Sequence, residues 1–281
     1  PIVWFLRAKC HGERIPHKNR VVNYYNILRN TRSARVGIVT ATLVVTTNAL
    51  FAQTLTWLGT LGGDRSWAFS VSADGAVVVG WARNASGHHR AYRWTQATGL
   101  QDLGTLDGVD SEAYVASVDG AVVVGYARNA DGQTRAFRWT QTTGMRDLGT
   151  LGGNFSLAYG LSADGTVVVG WTTNASGRTR AFRWTQATGM QNLGTLSGAA
   201  WSQAEDVSAD GSVVVGWAGN ADRWRAFRWT PNRGMEDLSQ TYAGLLGGST
   251  LWEARAVSAD GRYIVGWGFN ATTQRVQGVL L

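Results

Sequence analysis

Short runs of alternating hydrophobic and polar residues, separated by glycine-rich turns, fill residues 54–281. Side chains alternate between the two faces of a β-strand, so Phe182 and Trp184 are predicted to share one face of their strand. Runs such as Val-Val-Val-Gly-Trp are rich in the β-branched and aromatic residues that strands favour. Asp-Gly pairs between the runs favour hairpin turns in which both central residues have positive φ. The pattern therefore predicts an all-β fold.

These runs recur in a unit of about 45 residues. Ser-Ala-Asp-Gly, with Val for Ala in the second unit, occurs five times at spacings of 45, 45, 46 and 50 residues, and the last spacing contains an insertion around Ser239–Leu245. Each unit is predicted to hold four strands, around Leu-Gly-Thr-Leu, Ala-x-x-Val-Ser, Val-Val-Val-Gly-Trp and Arg-Ala-Phe-Arg-Trp-Thr. The predicted units are about 54–98, 99–143, 144–188, 189–233 and 234–281.

Four strands in 45 residues match the size of one β-propeller blade. A β-solenoid is the alternative, although its rungs are usually shorter. Units of this size cannot bury both faces alone, so the recurring Trp and Phe side chains are expected to pack neighbouring units together. Residues 53–281 are therefore predicted to form a five-unit β-propeller-like domain, with closure of the ring left open.

Residues 1–52 differ from the repeats in composition. They hold eight cations and one acid, which accounts for the whole net charge of +7. Charges stop at Arg35, and seventeen uncharged residues lead to Ala52. A basic segment, an apolar segment and a small residue are the parts of a secretory signal, so we predict a signal-type helix with cleavage before Gln53.

A retained membrane anchor is the alternative for this leader. Seventeen residues are at the short limit for a spanning helix, and four Thr and Asn48 weaken the segment further. We therefore expect an exported protein, extracellular or at the cell surface, with the periplasm as a second location. Contact with a membrane is expected only through the leader or through a C-terminal anchor outside this sequence.

The repeat region excludes several classes of partner and cofactor. Its 229 residues contain 18 Arg, 18 acidic residues and no Lys, so its net charge is zero. Nucleic-acid binding needs a surplus of cations, which this region lacks. The only cysteine, Cys10, lies in the leader, so the repeats can form neither a disulfide nor a thiolate metal site.

The order LGTLGG, SADG, VVVGW and RAFRWT resembles the HAF family of extracellular repeats, found in bacterial secreted and surface proteins. The resemblance covers about residues 54–281 and implies an extracellular β-repeat architecture, in some relatives as the passenger region of an autotransporter. The chain departs from the family at the tripeptide that names it, because Arg replaces His before Ala-Phe at Arg135, Arg180 and Arg225.

Candidate catalytic and metal-binding motifs are weak. Ser-Ala-Asp-Gly lacks the spacing of a carbohydrate-enzyme Asp-box, and one carboxylate per turn is too few for calcium, so a hairpin turn is the preferred interpretation. His88 and His89 are adjacent and would point to opposite sides of a strand, which is typical of a solvated pair. We therefore predict no catalytic, cofactor-binding or metal-binding residues.

Positions that differ between units are the candidates for specific recognition, because positions common to all units serve the common fold. They cluster after each Leu-Gly-Thr-Leu and are predicted to lie on loops held by a rigid scaffold. The predicted ligand-contact residues are Asp64, Arg65, Trp67, Asp110, Glu112, Asn154, Phe155, Trp201 and Trp252.

Three functions follow as hypotheses. The first is a non-enzymatic binding or adhesion module for a surface glycan or protein. The second is a carbohydrate-active enzyme with acidic residues at the mouth of the propeller, the candidates being Glu112, Glu205 and Glu253. The third is a structural passenger stalk of an autotransporter.

Overall fold

The structure is a computed structural model that describes residues 54–281. The predicted leader and its signal-type helix lie outside the described residues. Within the described part, Trp57–Leu281 belongs to one compact unit. No helix in this part of the chain is both long and apolar enough to cross a membrane.

Five antiparallel sheets follow one another along the chain, and the strands of each sheet pair in sequence order. The first sheet contains β1 (Gly62–Val71), β2 (Val77–Asn84), β3 (His89–Thr95) and β4 (Gly99–Asp102). The second contains β5 (Asp107–Ala116), β6 (Val122–Asn129), β7 (Thr134–Thr140) and β8 (Gly144–Asp147). The third contains β9 (Gly152–Leu161), β10 (Val167–Asn174), β11 (Thr179–Thr185) and β12 (Gly189–Asn192).

The last two sheets vary this plan. The fourth contains β13 (Trp201–Val207), β14 (Val214–Gly219), β15 (Trp224–Thr230) and β16 (Gly234–Asp237). Two one-turn helices, α1 (Leu238–Thr241) and α2 (Ala243–Leu246), occupy the predicted insertion. The fifth sheet contains β17 (Thr250–Val257), β18 (Ile264–Asn270) and β19 (Arg275–Leu280). The five sheets confirm the prediction of five repeated β units.

The predicted strand around Leu-Gly-Thr-Leu is wrong. Gly104 in the second copy of this motif has a φ of 87°, and its N–H is held by Asp102 Oδ1 at 2.8 Å, so the chain turns there. The fourth strand of a sheet is instead the short segment before the motif, such as Gly99–Asp102, which pairs with the outer side of β3. Each four-stranded sheet therefore takes its last strand from residues just before Leu-Gly-Thr or its counterpart.

Ser-Ala-Asp-Gly forms a hairpin turn, as predicted, and its hydroxyl and carboxylate close the turn. In the third sheet Ser162 Oγ donates to Asp164 Oδ1 at 2.7 Å, and Val167 N–H donates to Ser162 Oγ at 2.9 Å. Gly165 has a φ of 71°, but Asp164 is not in the left-handed region. The expectation that both central residues have positive φ is wrong, because only the glycine of each turn adopts that conformation.

The Val-Val-Val block packs each sheet against its neighbours. The third valine of one sheet shares a hydrophobic cluster with the second valine of the next, as Val79 does with Val123 and Val124 does with Val168. Val123 and Val124 are both 0% exposed, which shows that the second sheet is covered on both faces. At the end of the array, Val265 is 39% exposed.

Hydrogen bonds also join neighbouring sheets. Ser111 Oγ accepts from Ala91 N–H of the preceding sheet at 2.9 Å and donates to Gly104 C=O at 2.6 Å. The turns are linked by backbone bonds from one sheet to the next: Ala73 to Val118, Val118 to Ala163, Ala163 to Ala209, and Ala209 to Ala259. The inter-sheet contacts are therefore repeated with the period of the sequence.

The first strands of neighbouring sheets contact one another on the inner side of the array, whereas the fourth strands make their extensive contacts within their own sheet. Packing of this kind runs continuously from the first sheet to the fifth. None of the extensive strand packing in residues 54–281 joins the fifth sheet to the first. The described part of the chain is an open array.

Candidate functional site

The first strands of the first, second, third and fifth sheets have a register shift near their N-terminal end. All five first strands also have a β-bulge beside the glycine of Val-Val-Val-Gly, where the pairing register skips one residue. The five skipped residues, here called the bulge row, are Phe69, Tyr114, Tyr159, Glu205 and Arg255. Because the first strands lie on the inner side, the bulge row follows that side through all five sheets.

The recurring glycine of Val-Val-Val-Gly accounts for the bulges. A Cβ on Gly170 would lie 2.0 Å from the carbonyl oxygen of Leu157, and the other four glycines show the same close approach, at 1.9–2.0 Å. Only glycine permits the first strand to come so near, and the strand then bends so that Tyr159 leaves the ladder. The glycine and the close approach of the two strands recur in every sheet, whereas the residue at the bulge differs between most sheets.

The first three members of the bulge row form a continuous aromatic surface. The ring centroids of Phe69 and Tyr114 are 5.7 Å apart, and those of Tyr114 and Tyr159 are 5.6 Å apart. All three side chains are half-buried. Burial, followed by the negative charge of Glu112, raises the pKa of Tyr114, so its phenol stays protonated and can donate a hydrogen bond.

The last two members form a charged surface. Arg255 Nη1 donates to Glu205 Oε2 at 3.1 Å, and Arg255 Nη2 forms an ion pair with Glu253 Oε2 at 2.5 Å. Indole N–H groups hold the other sides of these carboxylates, from Trp217 to Glu205 at 3.1 Å and from Trp267 to Glu253 at 3.2 Å. Burial raises the pKa of Glu205, and Arg255 opposes that rise.

Asp206 follows the bulge of the fourth sheet and ties this sheet to the fifth. Its Oδ2 accepts from Val257 N–H at 2.9 Å, and its Oδ1 accepts from Val207 N–H at 2.8 Å. Burial raises the pKa of Asp206 to about 6, although both N–H donors act in the opposite direction. The carboxyl group therefore joins the two sheets, and it binds a proton at a higher pH than an ordinary aspartate does.

The nine predicted ligand-contact residues all lie in strands, so their assignment to loops is wrong. After Leu-Gly-Thr-Leu the chain enters a first strand that is ten residues long in each of the first three sheets. The strand members are Asp64, Arg65 and Trp67 in β1, Asp110 and Glu112 in β5, Asn154 and Phe155 in β9, Trp201 in β13, and Trp252 in β17.

Three of the four predicted aromatic contact residues pack against the recurring Trp of their own sheet. Trp67 stacks on Trp81 with centroids 4.6 Å apart, and Phe155 stacks on Trp171 at 4.5 Å. Trp252 meets Trp267 edge-on at 5.5 Å. These rings stabilise the ends of their strands while exposing part of their surface, as the 46% exposure of Trp67 shows.

The predicted polar contacts pair mainly with neighbouring side chains. Asp64 binds Arg65 at 2.9 Å, and Asn154 N–H donates to Thr173 Oγ1 at 3.1 Å. Glu112 Oε1 lies 3.0 Å from His89 Nδ1, so β5 of the second sheet contacts β3 of the first sheet here. In the described part of the chain, no three His, Cys, Asp or Glu side chains are grouped as metal ligands.

Sequence reasoning missed four of the five bulge residues as candidates and named only Glu205. The available signal was the glycine inside a strand pattern, which often marks a bulge. A second signal was the variable residue after the recurring Ala of Ala-x-x-Val-Ser. The missing information is which carbonyl approaches the glycine, and this depends on the pairing register.

The repeated antiparallel sheets define a β-propeller-like domain, and comparison with solved structures supports this class. The chain superposes on the TolB-type protein of Agrobacterium tumefaciens with a TM-score of 0.53 and 16% identity, over 78% of this chain and 77% of that one. TolB from Acinetobacter baumannii gives 0.52 and 15%, over 77% and 51%.

A third similar structure comes from a study of two prolyl endopeptidases, with a TM-score of 0.51 and 15% identity. This chain spans 35% of that protein and about half of the Acinetobacter TolB. No protein-family model matches the chain, and no curated protein is significantly similar to it in sequence. At these identities the likeness concerns the fold.

Proposed function

We propose that the protein is a non-enzymatic binding module of an exported protein, and that its ligand lies along the bulge row. One observation carries this proposal: five equivalent positions on a constant scaffold present an aromatic or charged side chain to the inner surface. Variation at a structurally released position is what specific recognition requires, whereas the constant positions maintain the fold.

The chemistry of the row suits an extended ligand with one apolar and one polar region. The rings of Phe69, Tyr114 and Tyr159 offer flat apolar surfaces, which contact sugar faces or apolar side chains. The far end offers a guanidinium and a carboxylate for hydrogen bonds. A surface glycan or a surface protein meets these requirements, and adhesion is the role we propose.

The arrangement of the carboxylates favours binding over hydrolysis. Glycoside hydrolysis needs one carboxyl group to donate a proton and another to attack or to activate water. Glu205 and Glu253 share a single arginine, and each also accepts from an indole N–H. Glu112 lies in a different sheet beside His89. These partners hold the acids in a structural network.

A glycan array and a cell-binding assay with the full chain test the proposal. We expect binding in at least one assay, and Tyr114→Ala and Tyr159→Ala each to weaken it at least tenfold. Tyr263→Ala is the matched control, because Tyr263 is 54% exposed, lies outside the bulge row and should leave binding unchanged. Absence of any binding by the wild type would favour the structural stalk instead.

The proposed export and the proposed relation to HAF-type repeats are supported by sequence alone. The leader combines the elements of a secretory signal, and the ordered motifs recur through 54–281. Expression in a Gram-negative host followed by fractionation tests export. A mature N-terminus at Gln53 outside the cytoplasm is expected, and full-length protein retained in the cytosol would contradict it.

A further inference from the structure

The fifth sheet has an exposed apolar side, here called the fifth-sheet face. Ile264 packs against the fourth sheet, so its neighbours Tyr263 and Val265 point away from that sheet. Val265 pairs with Leu280, which therefore points the same way, and Val276 lies on this side of β19 as well. The four outward side chains are between 39% and 61% exposed. An exposed apolar surface of this kind is typical of an interaction site.

The same positions are buried in the other sheets, where the following sheet covers them. Val265 corresponds to the third valine of the Val-Val-Val block, and this valine is 0% exposed in the other four sheets. Tyr263 corresponds to the first valine, which is 4–6% exposed in the first three sheets. Leu280 takes the place of an arginine that the other sheets contain, namely Arg93, Arg138, Arg183 and Arg228. The fifth-sheet face therefore has the composition of an inter-sheet interface.

The opposite end of the array exposes the complementary side of a sheet, here called the first-sheet face. Ala68 is exposed, whereas its counterparts in the other sheets are at most 1% exposed. Val71 is 40% exposed, against 9% for Leu161 and 5% for Val207 at the same position. Tyr92, on β3, is buried. The exposed part of the first-sheet face therefore follows β1, the strand that contacts the preceding sheet elsewhere in the array.

A turn glycine provides a specific match between the two faces. In the second sheet a Cβ on Gly120 would lie 2.4 Å from Val77 Cγ2, so the first valine of one sheet packs directly on the turn glycine of the next. The three later turn glycines show the same approach, at 2.4–2.8 Å. Nothing lies within 4 Å of a Cβ on Gly75. Tyr263 has the position of the first valine in the fifth sheet, so its ring is the partner that fits Gly75.

Hydrogen-bonding groups at the two ends also match. In the series of bonds that joins the turns, Ala259 N–H has no acceptor and Ala73 C=O receives no donor within residues 54–281. Ser66 Oγ donates to Gly59 C=O at 2.6 Å but accepts no N–H in this part of the chain. Its counterparts in the second, third and fourth sheets accept from the alanine of Arg-Ala-Phe in the preceding sheet. Gly278 has the position of that alanine in the fifth sheet.

We propose that the fifth-sheet face binds the first-sheet face of a second copy of this protein, so that the chains assemble head to tail. The contact continues the packing that already joins each sheet to the next. No extensive packing joins the first and fifth sheets of one chain within residues 54–281, which leaves both faces to another molecule. Because the two faces differ, a chain bound at one end keeps its other end available. The contact does not involve the bulge row.

Sedimentation velocity of the full chain over a concentration series tests this contact. Monomers are expected at low micromolar concentration, and species larger than dimers as the concentration rises towards millimolar. Val265→Asp places a charge on the fifth-sheet face, and Ala68→Glu places one on the first-sheet face. Each should weaken self-association at least tenfold. Leu245→Asp changes a 79% exposed side chain in α2, outside both faces, and should associate as the wild type does.

An equimolar mixture of the two variants separates head-to-tail contact from other modes of association. Val265→Asp keeps an intact first-sheet face and Ala68→Glu keeps an intact fifth-sheet face, so the mixture should form a heterodimer and nothing larger. Wild-type protein that stays monomeric at millimolar concentration, a mixture that stays monomeric, or undiminished association of either variant alone would overturn the proposal.

Thermal unfolding of each variant separates loss of association from loss of fold. Leu280→Glu and Val71→Glu change the same two faces at exposed positions and replace the first pair if either is unstable. Tyr114→Ala, which changes the bulge row, should associate as the wild type does. Failure of ligand binding at the bulge row and failure of the head-to-tail contact are therefore distinguishable.

Discussion

Each unit contains residues whose side chains the backbone conformation needs and residues, at the bulge, whose side chains it does not constrain. The serine and aspartate of each turn are required, because their side chains replace backbone hydrogen bonds at a sharp change of direction. The bulge residues are released, and their identity is free to vary. Titratable residues of the first kind make the stability of the fold depend on pH.

The turn aspartates should make the protein sensitive to strong acid. Hydrogen bonds from the serine hydroxyl, and next from backbone N–H, hold the pKa of Asp74, Asp119, Asp164 and Asp260 below the ordinary value and that of Asp210 at about 2. A lowered pKa in the folded state means stability that is present above about pH 4 and lost as pH falls through the lowered values. Melting temperatures measured from pH 5 to pH 2 should fall.

The same measurement on Asp164→Asn provides the comparison. This variant should melt below the wild type at pH 7, and the difference should narrow as the pH approaches 2. Asp131→Asn is the control, because Asp131 accepts no side-chain hydrogen bond in the described part of the chain. A constant difference between Asp164→Asn and the wild type at all pH values would contradict this role of the carboxylate.

Asp206 should act in the opposite direction. Its pKa in the folded state is raised to about 6 by burial, so its contribution to stability is full below about pH 4 and is lost as pH rises through 6. The loss corresponds to about 2–3 kcal/mol. Wild-type protein should therefore melt several degrees higher at pH 5 than at pH 7. Asp206→Asn should reduce this difference, leaving only the smaller slope from Glu205, whose pKa is also raised.

At the scale of the strand, the glycine of Val-Val-Val-Gly determines the geometry of the whole sheet. Gly170→Ala would place a methyl group 2.0 Å from the carbonyl of Leu157 and should destabilise the protein by about 3 kcal/mol. Gly177→Ala is the matched control, since its φ of 71° strains an alanine but nothing lies within 4 Å of the added carbon. It should cost only about 1 kcal/mol in urea unfolding.

The serine that joins neighbouring sheets should stabilise the fold because it accepts a hydrogen bond from a buried backbone N–H. Ser156 Oγ accepts from Ala136 N–H at 2.9 Å, and both groups are buried. Ser156→Ala leaves that N–H without an acceptor and should reduce the free energy of unfolding by about 2 kcal/mol. Ser176→Ala, in an exposed hairpin, should change it little. Equal effects of the two substitutions in chemical denaturation would argue against the inter-sheet bond.

Strands with a strong alternation of apolar and polar residues were predictable from sequence. Strands that can be recognised only by their pairing with a neighbouring strand were not. Strands of the Val-Val-Val-Gly and Arg-Ala-Phe-Arg-Trp type have enough alternating apolar positions to be recognised. The segment Gly99–Asp102 is four residues long and mostly polar, so only its pairing with β3 reveals it. The stacking of Trp224 on Trp217 joins residues of two neighbouring strands, so it too depends on the pairing register, which the repeat pattern does not reveal.

At the scale of the whole molecule, stability depends on each sheet having neighbours. Val124 is 0% exposed between the second and third sheets, whereas the equivalent Val265 in the fifth sheet is 39% exposed. Val124→Ala should therefore reduce the free energy of unfolding by about 2 kcal/mol, and Val265→Ala by well under half of that. Urea unfolding of both variants checks this, and similar values would show that the fifth sheet is covered in solution.

The glycine-induced bulge separates the residues that build the fold from the residues that form the inner surface. Because the released side chain makes no ladder contacts, a codon change there alters the inner surface while the strands, turns and clusters persist. Duplication of a unit would add one more bulge residue in line with the existing bulge row. The inner surface can therefore change by one substitution at a time during evolution, and all five bulge residues can be replaced by design on the same backbone.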